Sequence, residues 1–253
     1  MLLRGPTPLE DLAELEKEAR QTLHRLRYEQ HLRARLGHRF PPLVLEFAGC
    51  PKSGKTTTIT KIRHFLRRME FRVVALSEGA SKRDFDHVRR DLVAYNTVTL
   101  SDAVSELLIA YHSADAPDVI LLDRGIFDHL AWVGMLQSRK LVTKREANIK
   151  VRYALQEAAI ISRLYLFTCT PEVSLTRETS DMLTLEAGTA MNPETLALLY
   201  AEYERLAETL APQYSVHRLD TTEPTPERAT AMTVVQDILA HDWFVEPSSA
   251  PRP

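Results

Sequence analysis

The sequence predicts an α/β fold: a doubly wound, five-stranded parallel sheet preceded by an N-terminal amphipathic helix. Short apolar runs alternate with helical stretches from residue 43 onward, which is how a parallel sheet with helices on both faces reads. Each run is separated from the next by enough residues for a helical crossover. Hydrophobic residues make up 44% and charged residues 26% of the 253, a globular composition that excludes disordered, collagen-like and coiled-coil classes.

The elements follow in order. Residues 9–36 lack an interior Pro or Gly and place Leu12, Leu15, Ala19, Leu23 and Leu26 on one helical face. That stripe either docks on the core or forms a dimer seam. The opposite face carries Arg20, His24, Arg27, His31, Arg35 and His38. It reads as solvated, with contact to an acidic partner or a phosphate-rich ligand as the alternative. Its three histidines recur every seven residues, about 10 Å apart, too far for one metal ion. Pro41-Pro42 ends the helix and Leu43 to Ala48 reads as a buried strand closed by Gly49. Further strands are expected over 71–76, 118–122, 163–168 and 214–219. Helices are expected over 55–69, 84–95, 101–113, 128–138, 143–160, 193–210 and 226–240. Residues 177–192 have weak periodicity and read as a lid-like loop before Pro193 restarts a helix. This divides the chain into a helical extension (1–40), a main domain (41–241) and a tail (242–253).

Charge and cysteine content narrow the setting. Lys and Arg total 32 against 34 Asp and Glu, a formal charge of −2, so the molecule as a whole attracts neither nucleic acid nor an anionic membrane. Cys50 and Cys169 are too few for a disulfide framework, and no signal peptide or long apolar segment is evident. The expectation is a reducing, cytoplasmic protein.

The chemistry is announced by Gly49-Cys50-Pro51-Lys52-Ser53-Gly54-Lys55-Thr56, the Gly-x-x-x-x-Gly-Lys-Ser/Thr pattern of the phosphate-binding loop, set between a strand and a helix. Backbone N–H groups must wrap a polyphosphate, and glycines let the main chain approach it without a Cβ in the way. Lys55 is expected to reach the β and γ phosphates, the Thr56 hydroxyl to ligate magnesium, and Thr57 to donate to the α phosphate. Gly49, Lys52, Ser53 and Gly54 complete the cradle. ATP and Mg are the cofactors this implies. Val119 to Leu122 is an apolar run ending in Asp123, the second metal-binding element such a fold requires. Cys50 lies beside a helix N-terminus, which can lower a thiol's pKa and make it oxidisable; simple loop filler is the other reading.

With Asp123-Arg124-Gly125, the upstream loop, and Leu164-Tyr165-Leu166 leading to Pro171-Glu172-Val173-Ser174-Leu175-Thr176-Arg177, the chain resembles the thymidylate kinase and deoxynucleoside kinase group of P-loop NTPases over about residues 43–239. The resemblance implies transfer of the ATP γ phosphate to a nucleoside or nucleoside monophosphate. Arg124 would contact the acceptor or the transferring phosphate, and Glu78 would match a carboxylate near the acceptor hydroxyl. Arg177 would enter the lid. Lys52 stands where one subgroup of thymidylate kinases places an arginine, while Pro51 replaces that subgroup's aspartate, and no second arginine follows Arg177 until Arg205. Lys82, Arg83, Arg89 and Arg90 are candidate phosphate contacts, and Phe85, Tyr95, Phe127 and Trp132 candidate walls of a base pocket. Two further readings stay open: a nucleotide-switched P-loop ATPase acting as a regulatory protein, and phosphorylation of a polymer end, which the balanced charge disfavours.

Overall fold

A computed structural model describes residues 9–77, 88, 90–181, 191–223, 226–241 and 243. Five parallel strands form one sheet: β1 (Leu43–Gly49), β2 (Val73–Leu76), β3 (Val119–Asp123), β4 (Arg163–Thr168) and β5 (Val216–Asp220), in the order β2-β3-β1-β4-β5. The described helices are α1 (Leu9–Arg35), α2 (Lys55–Arg68), α3 (Leu92–Tyr111), α4 (Ile126–Ser138), α5 (Lys144–Glu157), α6 (Pro171–Asp181), α7 (Pro193–Leu210) and α8 (Glu227–Leu239). β1 is central, with Phe47 opposite Asp123 of β3 and Gly49 opposite Phe167 of β4. Strand order reverses there, so the crevice at the carboxyl end of β1 is where an open α/β sheet gathers ligands.

Alternation along the strands makes two cores. Val44, Ala48, Ile120, Leu122, Leu164 and Leu166 face α3, α4, α5 and α7. Leu45, Phe47, Leu121, Tyr165 and Phe167 face α1, α2 and α8, with Phe47 stacked on Tyr165 at 5.1 Å between ring centroids. The leucine stripe of α1 belongs to this second core, where Leu15, Ala19 and Leu26 are buried and Leu12 and Leu23 partly so. It therefore docks on the core. Each buried leucine contributes about 2 kcal/mol.

The helical face opposite the stripe is only partly solvated. Arg27 leaves the pattern and clamps Asp118 at the start of β3 with Nη1 to Oδ1 at 2.7 Å and Nη2 to Oδ2 at 2.9 Å. Gln30 and Arg72 donate to the same carboxylate at 2.8 Å each. Burial pushes the Asp118 carboxyl up, but bonds from Arg27, Arg72 and Gln30 outweigh it and hold it at about 2.

Several boundaries differ from expectation. The helices expected over 84–95 and 101–113 include one continuous helix, α3, from 92 to 111. Its interior hydroxyls return to the backbone four residues earlier, Thr97 to Val93 O and Ser101 to Thr97 O, which satisfies a polar, β-branched stretch inside a helix. Asp91 caps it by accepting from Val93 N and Ala94 N at 3.0 Å. The lid-like loop does not start at residue 177, because α6 runs through Asp181; residues 182–190 lie outside the described residues. Strand β2 begins at Val73, since Glu70 takes a left-handed φ of 68° and Phe71 N closes the end of α2 on Leu66 O. Among the described residues no helix is long and apolar enough to cross a membrane.

Candidate active site

The carboxyl ends of β1, β3 and β4 bring the expected residues together. Gly49 turns at φ 134°, and a Cβ there would stand 1.9 Å from Phe167 O, so β4 passes too close for any side chain. Gly54, at φ 89°, opens α2, whose first turns are Lys55, Thr56 and Thr57. Lys52 also takes a left-handed φ, 56°. The loop thus folds as a ring of main chain at a helix N-terminus, the arrangement that binds anions. Lys55 is buried inside it and donates to Gly49 O (3.0 Å), Cys50 O (2.6 Å) and Ser53 Oγ (3.2 Å). Burial, then the nearby Arg124 charge, pushes its amine down to about 8 against the pull of Asp128 and Asp123.

Thr56 Oγ1 donates to Asp123 Oδ2 at 2.6 Å, joining the two residues expected to hold a divalent cation. A hydroxyl and a carboxylate are oxygen donors of the kind magnesium takes. The pairing needs the β1 and β3 register, which no local pattern in the sequence states.

The loop is braced from three sides. Arg177 on α6 donates to Lys52 O (3.1 Å) and Thr221 O (2.6 Å), so its guanidinium engages backbone carbonyls beside the loop. Lys52 Nζ pairs with Glu178 at 3.0 Å, and Ser174 Oγ donates to Pro51 O at 2.8 Å. Beyond β5, Thr221 Oγ1 donates to Ser53 O at 3.1 Å.

On the β3 side, Arg124 takes a φ of 58° and pairs with Asp128 Oδ2 at 3.1 Å. Asp128, in the first turn of α4, is fully enclosed. Its Oδ1 accepts from Gly49 N at 3.1 Å and from Tyr203 O–H at 2.8 Å. Burial pushes the carboxyl up, but Arg124 and then Lys55 outweigh it and keep it ionised. Glu46, in the middle of β1, accepts from Gly125 N (3.2 Å), Ile126 N (2.9 Å) and Asp128 N (2.9 Å) and so caps α4 from within the sheet. Burial, with the Asp128 charge adding, pushes its carboxyl up to about 8 against the pull of the Asp128, Phe127 and Ile126 amides.

A cavity of about 40 Å³ opens beside Arg124 and Asp128, lined by Tyr95, Asn96, Thr99, His129 and Trp132. Among the described residues the Asn96 Oδ1 is buried without a hydrogen-bond partner, while His129 Nε2 meets Thr99 Oγ1 at 2.9 Å and Nδ1 meets Gly125 O. Tyr95 and Trp132, two of the candidate base-pocket walls, line this cavity. Phe127 does not: it is core, packed edge-on to Tyr214 at 4.9 Å. Arg90 is exposed, and Glu78, Lys82, Arg83, Phe85 and Arg89 lie outside the described residues.

Sequence reasoning passed over Glu46, Asp128, Asn96, Thr99, His129, Tyr203, Glu178 and Thr221. Two of these carried a signal. Glu46 is an acid inside an otherwise apolar strand, which demands a buried partner. Asp128 lies four residues after Arg124 at a helix start, the spacing of a facing pair.

No family model matches the sequence, and no curated protein matches it. Among solved structures, the chain is similar to the deoxyadenosine kinase from M. mycoides with bound dATP. The TM-score is 0.58 at 13% identity, covering 79% of this chain and 100% of that one. What the likeness shows is the fold: this chain's α/β architecture around a five-stranded parallel sheet resembles that of the kinase structure.

Proposed function

We propose that this protein is a magnesium-dependent phosphotransferase that moves the γ phosphate of ATP to a nucleoside-like or nucleoside monophosphate acceptor. The observation that carries the reading is adjacency. A phosphate loop with a buried lysine and a cavity with an unpartnered amide oxygen share one sheet edge, with Arg124 and Asp128 between them. Domain use follows: the sheet and its loops carry the chemistry, and α1 supports it.

Triphosphate would enter the ring of main-chain amides at residues 49–57. Lys55 would exchange the carbonyls of Gly49 and Cys50 for β and γ oxygens, and Arg124 would face the transferring group from the acceptor side. Thr56 and Asp123 would hold magnesium, which neutralises phosphate charge when bound. The acceptor oxygen bonds to the γ phosphorus as the bond to the bridging oxygen breaks and ADP leaves. A hydroxyl acceptor must also surrender a proton, for which Glu78 is our candidate; an acceptor that is already a phosphate needs no base. At about 40 Å³ the cavity holds little more than water, so the acceptor must displace side chains such as Trp132 on entry. Cys50 and Cys169, both unbridged, suit the reducing cytoplasm to which we assign the protein.

A nucleotide-switched ATPase is the second reading, favoured by the engagement of Lys52 with Glu178 and of Arg177 with backbone carbonyls. Incubation with γ-labelled ATP and a panel of nucleosides and monophosphates separates them. Label on an acceptor supports transfer, and slow release of inorganic phosphate alone supports the switch. Lys55→Ala should remove most turnover, at least about a hundredfold, with the fold intact by circular dichroism. Transfer at the wild-type rate by that variant would refute the mechanism.

A further inference from the structure

The chain has two cysteines, distant in sequence, and the fold puts both against the phosphate loop. Cys50 follows β1 and Cys169 follows β4, strands in register with Gly49 opposite Phe167. Cys50 N donates to Phe167 O at 2.9 Å, and Cys169 Sγ reaches Pro51 O, the next residue of the loop, at 3.8 Å. Both thiols are free and lie buried in the same cluster of the core, at 2% and 1% exposure. Continued past Gly49 and Phe167, the register sets Cys50 opposite Thr168, so Cys169 is offset from it by one residue on strands about 4.8 Å apart, a Cα separation of about 6 Å, inside the range of about 4.4–6.8 Å that a disulfide spans. Two thiols on neighbouring segments beside the loop are not required by packing, since a small apolar residue would fill either position.

We propose that Cys50 and Cys169 form a peroxide-made, reversible disulfide that closes the phosphate loop to nucleotide. The effect on nucleotide rests on the site reading above; the covalent step does not. Cys50 is the attacking sulfur. The neighbouring Cys169 thiol pushes the Cys50 thiol down against the upward push of burial, and the Lys55 and Arg124 charges add to that; Cys169 is pushed up by its neighbour Cys50 and by burial. The Cys50 thiolate attacks one peroxide oxygen and the O–O bond breaks, giving a sulfenic acid and one water once the proton lost by Cys50 is counted. The Cys169 sulfur then attacks the Cys50 sulfur, the S–S bond forms, the S–O bond breaks, and a second water leaves with the Cys169 proton. In sum two thiols lose two electrons and two protons, and one peroxide becomes two waters.

The consequence for the loop is geometric. An S–S bond is about 2.05 Å long, well inside the van der Waals separation of two sulfurs, so forming it draws the Cys50 segment toward β4. Its carbonyl is an anchor of Lys55 at 2.6 Å, and the loop amides lie on the same short segment. Moving that segment misaligns the donors that would face phosphate.

The test uses the full chain, reduced and then treated with hydrogen peroxide. Non-reduced peptide mass mapping should show Cys50 and Cys169 linked with the loss of two hydrogens. Affinity for magnesium ATP by calorimetry should fall at least about tenfold and return with dithiothreitol. Cys169→Ser should bind nucleotide like the reduced wild type and form no linkage. Thiols that stay free, oxidise singly without pairing, or pair without change in nucleotide affinity would each overturn the proposal. Reduced protein that binds no ATP would instead sink the nucleotide-site reading, and the switch with it, even if the linkage forms.

Discussion

Replacing Asp118 by Asn tests whether one buried carboxylate fastens the N-terminal helix to the sheet. The side chain is fully enclosed and its two oxygens accept from Arg27, Gln30, the Arg72 guanidinium and Arg72 N, the last at 2.7 Å. The gap between about 2 in the fold and 3.8 for an ordinary carboxyl corresponds to about 2 kcal/mol. An amide retains one acceptor and turns an NH₂ toward donors on the other side, which costs about 1 kcal/mol more. The expected loss near neutral pH is therefore about 3 kcal/mol, or a Tm lowered by about 6–12 °C at this chain length. Because the folded pKa is depressed, the contribution is fully present above about pH 4 and is lost as pH falls through about 2. Urea unfolding from pH 7 down to pH 3 should show the gap between wild type and variant narrowing in acid. A variant within about 0.5 kcal/mol of wild type at pH 7, or a gap that does not change with pH, would refute the reasoning.

Three other outcomes are expected. Gly49→Ala, which sets a Cβ 1.9 Å from Phe167 O at a φ of 134°, should cost about 3–5 kcal/mol, read by thermal melts; near-wild-type stability would mean the loop and β4 are not so close. The Glu46 carboxyl, raised to about 8, takes up its proton on folding, so stability should decline as pH rises from about 4.5 to about 8 and level off above. Glu46→Gln should remove that slope in chemical denaturation at several pH values, and a slope that survives would assign it elsewhere. Deleting residues 1–36 uncovers the core beneath Leu15, Ala19 and Leu26 and strips Arg27 from Asp118, a loss of about 5 kcal/mol that rivals the stability of a whole domain. The shortened chain should melt far lower, and an unchanged Tm would show α1 to be dispensable.

What could be read from the sequence was what is local. The phosphate loop is a contiguous string, β4 matches its apolar run from Arg163 to Thr168, and α7 starts after Asn192, whose side chain accepts from Thr195 N at 2.9 Å, with Pro193 at its first position. The leucines of α1 announced a buried face without naming its partner. The polar lining of the cavity beside Arg124 was illegible because it is assembled across elements: Asn96 and Thr99 come from α3 and His129 from α4. They become neighbours only when α3 and α4 pack on the same face of the sheet. Helix α3 itself was obscured by Asn96-Thr97-Val98-Thr99, a stretch of poor helix formers that its own back-bonded hydroxyls and its packing against β2 and β3 hold helical. Arg27 was misread as solvated because helical periodicity records which face is apolar but says nothing of a carboxylate on a distant strand.

Asp128 gathers the first amide of the phosphate loop, the guanidinium of Arg124 and the phenol of Tyr203 on one carboxylate. In the phosphotransferase we propose, donor and acceptor territories would therefore be not separate rooms but two doors on one frame. Whatever an acceptor does to the grip on nucleotide, nucleotide must do in equal measure to the grip on acceptor. Titrating either ligand in the presence and absence of the other reads that shared quantity from both directions.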